Sequence, residues 1–362
     1  MSGYARIPRL DGLRCAAAMV VFLSHAVPAT YQLRQPWGHF AVLFFFVLSG
    51  FVITKSMIHS WDGLEGSSIR IRSWIGRFFF RRAVRILPPL VVVLFALRTW
   101  IPGALEPIES HYWLFMANLT IYWHQSISPG SSHLWSIAVE EQFYVIWPVV
   151  MLLGFKMAPK RHELKWFFFA LLLFAGWMRW QGFGAVFKPM YRELLMPMVF
   201  EAFILGACLT ALQFREASNR VISRLGWVLM TLLAASAAII HSPYVGEWRF
   251  LVSECRYQSL LLVSVWIIMR STELTKPWWF DWFLLNAVVQ YLGRISYGFY
   301  LIHFPVVHLL AESLKAHWMV LLMLSLAISL GLALFSYEFM ERPLQQWANR
   351  KDPLRPAGSS RP

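Results

Sequence analysis

The feature that most constrains this chain is a series of apolar segments, each close to the roughly 20 residues that an α-helix needs to cross a bilayer. About ten such segments can be read, near residues 13–31, 37–58, 84–102, 133–155, 163–180, 194–213, 225–241, 256–270, 286–310 and 317–340. Every backbone hydrogen bond must be made internally in lipid, so segments of this kind fold as helices. The sequence predicts an all-α polytopic membrane protein with about ten transmembrane helices.

Composition agrees with this prediction. The chain of 362 residues is 58% hydrophobic and 14% charged, whereas a soluble domain has about 25% charged residues. The first nine residues are polar, and no small-residue cleavage site follows the first apolar segment. The first helix is therefore expected to stay in the protein rather than to be removed as a signal peptide.

The net charge of +14 is explained by where the charges fall. With the N-terminus in the cytoplasm, Lys and Arg are distributed about three to one in favour of the cytoplasmic side. This pattern predicts that both termini are cytoplasmic and gives no reason to expect nucleic acid as a partner. The three cysteines have no metal-ligand spacing, so no metal is expected.

Ionisable residues inside spanning segments are costly and are functional candidates by default. Arg14 and His25 are eleven positions apart, about 20° past three full turns, so they share a helix face at a separation of about 16 Å. His25 is expected to be the only imidazole near this line. The alternative is that Arg14 reaches lipid phosphates and His25 satisfies a hydrogen bond of a neighbouring helix.

Four arginines crowd the start of the third segment, in RFFFRRAVRILPPL. Arg82 and Arg85 lie one turn apart and can point at a single ligand, and the planar guanidinium suits phosphate. Arg77 and Arg81 are better explained as anchors against anionic lipid.

Polar side chains also interrupt the fourth apolar segment. Glu140 and Glu141 lie about two turns into the fourth segment, with Ser136 one turn before Glu140. Adjacent carboxylates point about 100° apart, so one can face a cavity while the other braces a neighbouring helix. Which glutamate does which stays open, and a structural ion pair is an alternative for one of them.

A second polar stripe lies in the ninth segment. Ser296, Tyr300 and His303 fall within about 60° of one helix face. Hydrogen bonding between helices explains this stripe as well as catalysis does.

Six stretches stand in the order that resembles the acyltransferase-3 family: RLDGLRCAAAMVVFLSH, FFFVLSGFVI, RFFFRRAVRILPP, LWSIAVEEQFYVIWP, LGRISYGFYLIHFP and YEFMERPLQQW. The resemblance covers nearly the whole chain. The positions that match the family's basic-residue and histidine pattern, its Arg-x-x-Arg pair and its acidic motif are Arg14 with His25, Arg82 with Arg85, and Glu140 with Glu141.

The resemblance implies a bacterial integral membrane O-acyltransferase in the inner (cytoplasmic) membrane. It implies one transmembrane domain over residues 1–347, a disordered cytoplasmic tail over 348–362, and a stand-alone member without the C-terminal hydrolase-like domain of some relatives. The donor would be cytoplasmic acetyl-CoA, with its phosphates on Arg14, Arg82 and Arg85. No permanently bound cofactor is expected. The pantetheine arm spans roughly 15–20 Å, close to the separation of Arg14 and His25.

These assignments give a mechanistic hypothesis. His25 would take the proton of an acceptor hydroxyl as its oxygen attacks the acyl carbon. Glu140 or Glu141 would orient His25 or the acceptor, and Ser136, Ser296, Tyr300 or His303 would contact the substrate or steady the oxyanion. Transfer through an acylated protein group remains an alternative.

Other functions share some of these features. A transporter or flippase for a glycolipid or acyl group would also have many spans and buried polar groups, but it predicts pseudo-symmetric halves, which are not evident here. A different acyltransferase fold would place its histidine in a long polar loop. The acceptor stays open among an O-antigen repeat of lipopolysaccharide, an exopolysaccharide unit, a lipid-linked oligosaccharide and a secreted metabolite.

Overall fold

The computed structural model of the protein describes residues 7–28, 37–61, 68–158, 160–183, 192–211, 249–272 and 278–350, with isolated positions at 228, 231 and 235. Almost all of these residues are helical, and no strand occurs among them. The all-helical prediction is confirmed for this part of the chain. The seventh apolar segment, apart from the isolated positions, and the tail beyond residue 350 lie outside the described residues.

The described helices follow one another along the chain. They are α1 (Pro8–Ala26), α2 (Trp37–Trp61), α3 (Ser68–Trp100), α4 (Glu109–Trp113), α5 (Ala117–His124), α6 (Leu134–Met157), α7 (Leu164–Phe183), α8 (Met196–Ala211), α9 (Arg249–Thr272), α10 (Asp281–Leu284), α11 (Ala287–Arg294), α12 (Ser296–Ser313), α13 (Trp318–Ser336) and α14 (Arg342–Arg350). A π-helical turn, Tyr337–Glu341, joins α13 to α14, so these elements run as one continuous helix.

Within the described ranges, four helical stretches are long and apolar enough to cross a membrane: Trp37–Trp61, Ile71–Trp100, Leu134–Met157 and Trp318–Arg350. The helix over Met196–Thr210 is apolar but shorter. In α1 the apolar pattern is interrupted near its start by Arg9, Asp11 and Arg14. The number of spans and the cytoplasmic placement of both termini stay predictions.

The ninth apolar segment differs from the sequence interpretation. It is two helices rather than one, because α11 ends at Arg294 and α12 begins at Ser296. The side chain of Asn286 caps α11 by accepting hydrogen bonds from the backbone amides of Val288 and Val289. Helix α11 then packs along α1 so closely that a Cβ at Gly293 would lie 1.8 Å from the carbonyl oxygen of Asp11.

Helix α2 lies among α1, α6, α8 and α9 and is largely buried. Its closest approach is to α8, where a Cβ on Gly206 would lie 2.0 Å from the carbonyl oxygen of Val47. On the other helix, a Cβ on Gly50 would lie 2.0 Å from the carbonyl oxygen of Phe203. Small residues that let two backbones approach are a general way of packing helices in lipid.

Aromatic rings attach α6 to this pair. The ring of Phe203 stacks on Phe46 at 4.8 Å and on Phe143 at 4.1 Å between centroids. The buried Trp147 donates its indole N–H to the hydroxyl of Thr54 over 2.9 Å. This packing directs the polar residues of α6 toward α1, α2 and α12, where the candidate site lies.

Candidate functional site

Three neighbouring cavities run between the helices, and each is named here by its polar lining. The arginine cavity, of about 240 Å³, is lined by Arg77, Arg81, Arg82 and Arg85 with Ser56 and Ser60. The glutamate cavity, of about 100 Å³, is lined by Arg14, Arg82, Arg85, Glu140, Glu141 and Tyr297. The histidine cavity, of about 360 Å³, is lined by His25, His39, His133, Trp37, Trp135 and Tyr300.

Adjacent cavities share wall residues. Arg82 and Arg85 border both the arginine and the glutamate cavity. Val42 and Tyr300 border both the glutamate and the histidine cavity. The cavities therefore form a series between helices, and Val42 and Tyr300 border both its second and its third member.

The three arginines proposed for donor binding come together around the glutamate cavity. Arg82 and Arg85 lie on adjacent turns of α3, and this helix already begins at residue 68, so both are held by helical backbone. The guanidinium of Arg82 lies 4.8 Å from the ring centre of Tyr144, a cation–π distance. Arg14 reaches the same cavity from α1 and pairs with Asp11 over 3.1 Å.

The two glutamates border the same cavity but differ in their hydrogen bonding. Glu140 Oε1 accepts hydrogen bonds from the hydroxyl of Ser49, at 2.5 Å, and from the hydroxyl of Tyr144. For Glu141 no hydrogen bond is found within the described part of the chain. Glu140 thus ties α6 to α2, and Glu141 is the carboxylate whose oxygens are available to a ligand in the cavity.

The hydrogen bonds around His25 fix which of its nitrogens is protonated. Nδ1 of His303 lies 2.7 Å from the carbonyl oxygen of Tyr300, which can only accept, so His303 donates from Nδ1. Its Nε2 is then an acceptor and lies 2.9 Å from Nδ1 of His25. His25 therefore carries its proton on Nδ1, which leaves a free electron pair on Nε2.

The partner of His25 is thus His303, and not a glutamate. Glu140 and Glu141 line the glutamate cavity, whereas His25 lines the histidine cavity. The start of α6 borders the histidine cavity, and the glutamates lie about two helical turns further along α6. The face shared by Arg14 and His25 on α1 does border two linked cavities, as the spacing predicted.

A third imidazole, His133, was missed by the sequence reasoning. It precedes α6 and is buried, and its ring packs against His303 at 5.4 Å between centroids. The expectation that His25 is the only imidazole near this line is wrong. A usable signal existed, because His133, Ser136 and Glu140 follow one another at helical spacing.

The remaining candidates Ser136, Tyr300 and Ser296 border the glutamate cavity, and Tyr300 also borders the histidine cavity. The hydroxyls of Ser136 and Tyr300 lie 2.6 Å apart, and each is close to the carbonyl oxygen of His133, at 3.0 and 3.2 Å. Their two protons are used within this group, so a contact with an oxyanion requires one hydroxyl to turn. Ser296, the first residue of α12, borders the glutamate cavity.

Aromatic and charged side chains surround the opening of the histidine cavity. The ring of His39 stacks on Trp135 at 6.1 Å, and its Nε2 lies 2.7 Å from a carboxylate oxygen of Glu193. Glu193 also pairs with the buried Arg179 over 3.1 Å. Burial would raise the pKa of Glu193, but the nearby imidazole of His39 and the charge of Arg179 hold this pKa below its usual range.

The short helix α5 covers part of this opening. Ile121 of α5, with Ile127 and Ser132 beyond it, lines the histidine cavity. Among the described residues no group of three or more His, Cys, Asp or Glu side chains is arranged to hold a metal ion.

Comparison with known proteins gives a family. A family profile described as an acyltransferase domain matches residues 7–338 of this chain. No solved structure matches it.

Three curated relatives are similar over most of the chain. The chain is 28% identical over 371 residues to YrhL of Bacillus subtilis strain 168, which is provisionally named a peptidoglycan O-acetyltransferase. This alignment covers 94% of this chain and 55% of the relative. It is 26% identical over 367 residues to the peptidoglycan O-acetyltransferase OatA of Listeria monocytogenes EGD-e, and the alignment covers 94% of this chain and 56% of the relative. It is 25% identical over 369 residues to a provisionally named O-acetyltransferase of Staphylococcus aureus strain COL, and the alignment covers 94% of this chain and 57% of the relative. The chain thus spans about half the length of these relatives.

Proposed function

Because the chain belongs to the acyltransferase-3 family, we propose that it is an O-acetyltransferase of the bacterial cytoplasmic membrane. It moves an acetyl group from cytoplasmic acetyl-CoA to a hydroxyl of a cell-envelope glycan or lipid-linked oligosaccharide. Two of the relatives are named for peptidoglycan O-acetylation, so peptidoglycan sugars are the first acceptors to test. In this proposal the arginine cavity faces the cytoplasm.

The observation that carries the proposal is the series of three cavities with arginines at one end and an imidazole with a free electron pair at the other. Acetyl-CoA is a long molecule with its phosphates at one end and its thioester at the other. Guanidinium groups bind phosphate strongly, and Arg82 and Arg85 stand where the first two cavities meet. The pantetheine arm would then cross the glutamate cavity, and its thioester would reach His25 past Val42 and Tyr300.

Glu141 has a specific use in this arrangement. The pantetheine arm carries two amide N–H groups, and a carboxylate with available oxygens accepts hydrogen bonds from such donors. Glu140 keeps the cavity in shape through Ser49 and Tyr144. In this proposal, then, one glutamate touches the donor and the other is structural.

The chemistry needs one base and no permanently bound group. The acceptor hydroxyl gives its proton to Nε2 of His25 while its oxygen forms a bond to the thioester carbonyl carbon. The carbon–sulfur bond then breaks, the proton passes to the departing thiolate, and the products are an acetyl ester and free CoA. His303 holds the tautomer that this role requires, by accepting from Nδ1 of His25.

The test uses the purified chain in nanodiscs with radiolabelled acetyl-CoA and soluble peptidoglycan fragments. Label in the glycan and an equal amount of free CoA thiol are expected with the wild type. Labelled acetyl-CoA that binds without thiol release, whichever glycan is offered, would contradict the proposal and favour the transporter alternative. Replacement of Arg85 by Gln provides a donor-site control, because it should weaken donor binding without changing the product.

A further inference from the structure

Resting on the proposed function, we infer that the arginine cavity binds the ribose 3′-phosphate of the acetyl-CoA donor through Arg77 and Arg81. Arg82 and Arg85, which also border the glutamate cavity, then hold the pyrophosphate. The arginine cavity therefore selects donors that carry the 3′-phosphate over otherwise identical thioesters that lack it.

Arg77 and Arg81 belong to a column of arginines on one side of α3. Arg77, Arg81 and Arg85 follow one another at intervals of four residues, so they lie on successive turns and within about 80° of one another around the helix. All three line the arginine cavity. Continuous helix holds them at this spacing, because α3 runs from Ser68 to Trp100.

The spacing of this column matches the spacing of the phosphates in CoA. Four residues of α-helix rise about 6 Å along the axis. The 5′ and 3′ phosphorus atoms on one ribose lie about 6–7 Å apart at the usual bond lengths. When the pyrophosphate is bound near Arg85, the arginines one and two turns earlier are therefore within reach of the 3′-phosphate.

The lining of the arginine cavity suits an anion. Its described part contains the four arginines and no Asp or Glu side chain. The hydroxyl of Ser60 accepts a hydrogen bond from the indole N–H of Trp74 over 2.7 Å and donates one to the carbonyl oxygen of Met57 over 3.0 Å, which ties α3 to α2 beside the arginines. A phosphate monoester carries close to two negative charges at neutral pH, and planar guanidinium groups form paired hydrogen bonds with its oxygens.

The sequence favours lipid anchoring for Arg77 and Arg81, whereas their location favours a ligand inside the protein. Phe79 and Phe80, between them in the chain, are 37% and 41% exposed and do not line the cavity. Arg81 is also exposed, but it lines the cavity together with the half-buried Arg77. Anchoring against anionic lipid requires only a position at the membrane surface, and it does not account for two arginines on the wall of a cavity that already contains Arg82 and Arg85.

The consequence is a preference between two donors that differ in one group. The 3′-dephospho analogue of acetyl-CoA keeps the thioester, the pantetheine arm, the pyrophosphate and the adenosine. From the usual contribution of hydrogen bonds to charged groups, the wild type should bind acetyl-CoA about 10- to 150-fold more tightly than this analogue.

The test measures the dissociation constants of both donors by isothermal titration calorimetry, with the full chain in nanodiscs and no acceptor present. Arg81→Gln should lower the ratio of the two constants, and the addition of Arg77→Gln should bring this ratio close to one. Arg72→Gln is the matched control for Arg81→Gln. It removes a positive charge from the same helix, but Arg72 lines none of the three cavities, so the wild-type ratio should persist.

A lipid headgroup offers the same phosphate chemistry, so the titrations are run in phosphatidylcholine alone and with added phosphatidylglycerol. A high wild-type ratio in both lipids, lost in the double variant, supports binding of the donor's 3′-phosphate. A wild-type ratio near one in either lipid, or an unchanged ratio in the double variant, would overturn the inference and leave lipid phosphate as the partner of the two arginines.

Transfer of label to glycan is then measured with both donors in the same nanodiscs. Transfer with equal use of the two donors would overturn the inference and leave the proposed function standing. The expected binding ratio without any label transfer would instead refute the proposed function and leave the 3′-phosphate site standing.

Discussion

His303→Asn should lower kcat and leave KM for acetyl-CoA close to the wild-type value. The shorter amide can still donate to the carbonyl oxygen of Tyr300, which His303 contacts at 2.7 Å, but it no longer reaches Nδ1 of His25. His25 then has a partly buried N–H without an acceptor, and the ring turns or adopts the other tautomer, which moves the proton to Nε2.

The magnitude follows from that lost acceptor. An unsatisfied buried donor costs about 1–3 kcal/mol, and each 1.36 kcal/mol is about tenfold in rate. The expected decrease in kcat is therefore about 5- to 150-fold. His303→Gln places an amide oxygen near the position of Nε2 and should recover much of the activity.

The assay is single-turnover release of CoA thiol in nanodiscs with saturating acceptor, so that chemistry is separated from product release. His317→Gln is the matched control, because His317 caps α13 at the surface and lies outside the three cavities. Melting temperatures of all variants are compared, so that misfolding is not read as lost catalysis.

The reasoning about the tautomer would be refuted by a His303→Asn variant whose kcat equals that of the wild type. It would equally be refuted by a variant that raises KM for the donor with kcat unchanged, since His303 would then be a binding residue.

Three further predictions concern the donor site and the packing. Arg85→Gln should raise KM for acetyl-CoA about 10- to 150-fold, because charge-assisted hydrogen bonds contribute about 1.5–3 kcal/mol; a donor titration of thiol release with unchanged acceptor KM checks this. Gly206→Ala should destabilise the protein by about 1–3 kcal/mol through overpacking against α2, whereas Gly76→Ala, with open space around it, should be neutral or stabilising in thermal unfolding. Asp281→Asn removes a carboxylate that binds Arg9 at 2.6 and 2.7 Å. The hydrogen bond from Arg9 lowers the pKa of Asp281, so the pair stabilises the fold above about pH 4. The difference in melting temperature between wild type and variant should therefore vanish as the pH falls through that lowered pKa; a constant difference down to pH 2 would contradict it.

The sequence was sufficient for the helical architecture because length and apolarity leave a chain in lipid few alternatives. It was also sufficient for the shared face of Arg14 and His25, since both lie on one uninterrupted helix and helical geometry alone sets their relation. The grouping of Arg82 and Arg85 follows from the same local rule.

The partners of these residues could not be predicted, because they come from distant parts of the chain. His25 and His303 are 278 positions apart, and no periodic pattern links them. The break at Ile295 was missed for a similar reason. Apolar stretches lie on both sides beyond Arg294 and Ser296, and the close packing of Gly293 against the backbone of Asp11 comes from a distant part of the chain.

The roles of the two glutamates could be predicted from the sequence only in part. Their divergence on the helix was predictable, and Tyr144, four residues after Glu140, was visible as a local partner. The second partner, Ser49, comes from α2, and only the packing of α2 against α6 identifies Glu140 as the braced member of the pair.

The most direct test of the account is a sided transfer measurement in sealed proteoliposomes with the arginine cavity facing outward. Radiolabelled acetyl-CoA is added outside, and a soluble glycoside acceptor from peptidoglycan is present both outside and enclosed within. The account predicts label on the enclosed glycoside with wild type and none with His25→Ala, while acetyl-CoA still binds to the variant. Label confined to the external glycoside, or enclosed label formed by His25→Ala at the wild-type rate, would contradict transfer from the arginines to His25 through the protein.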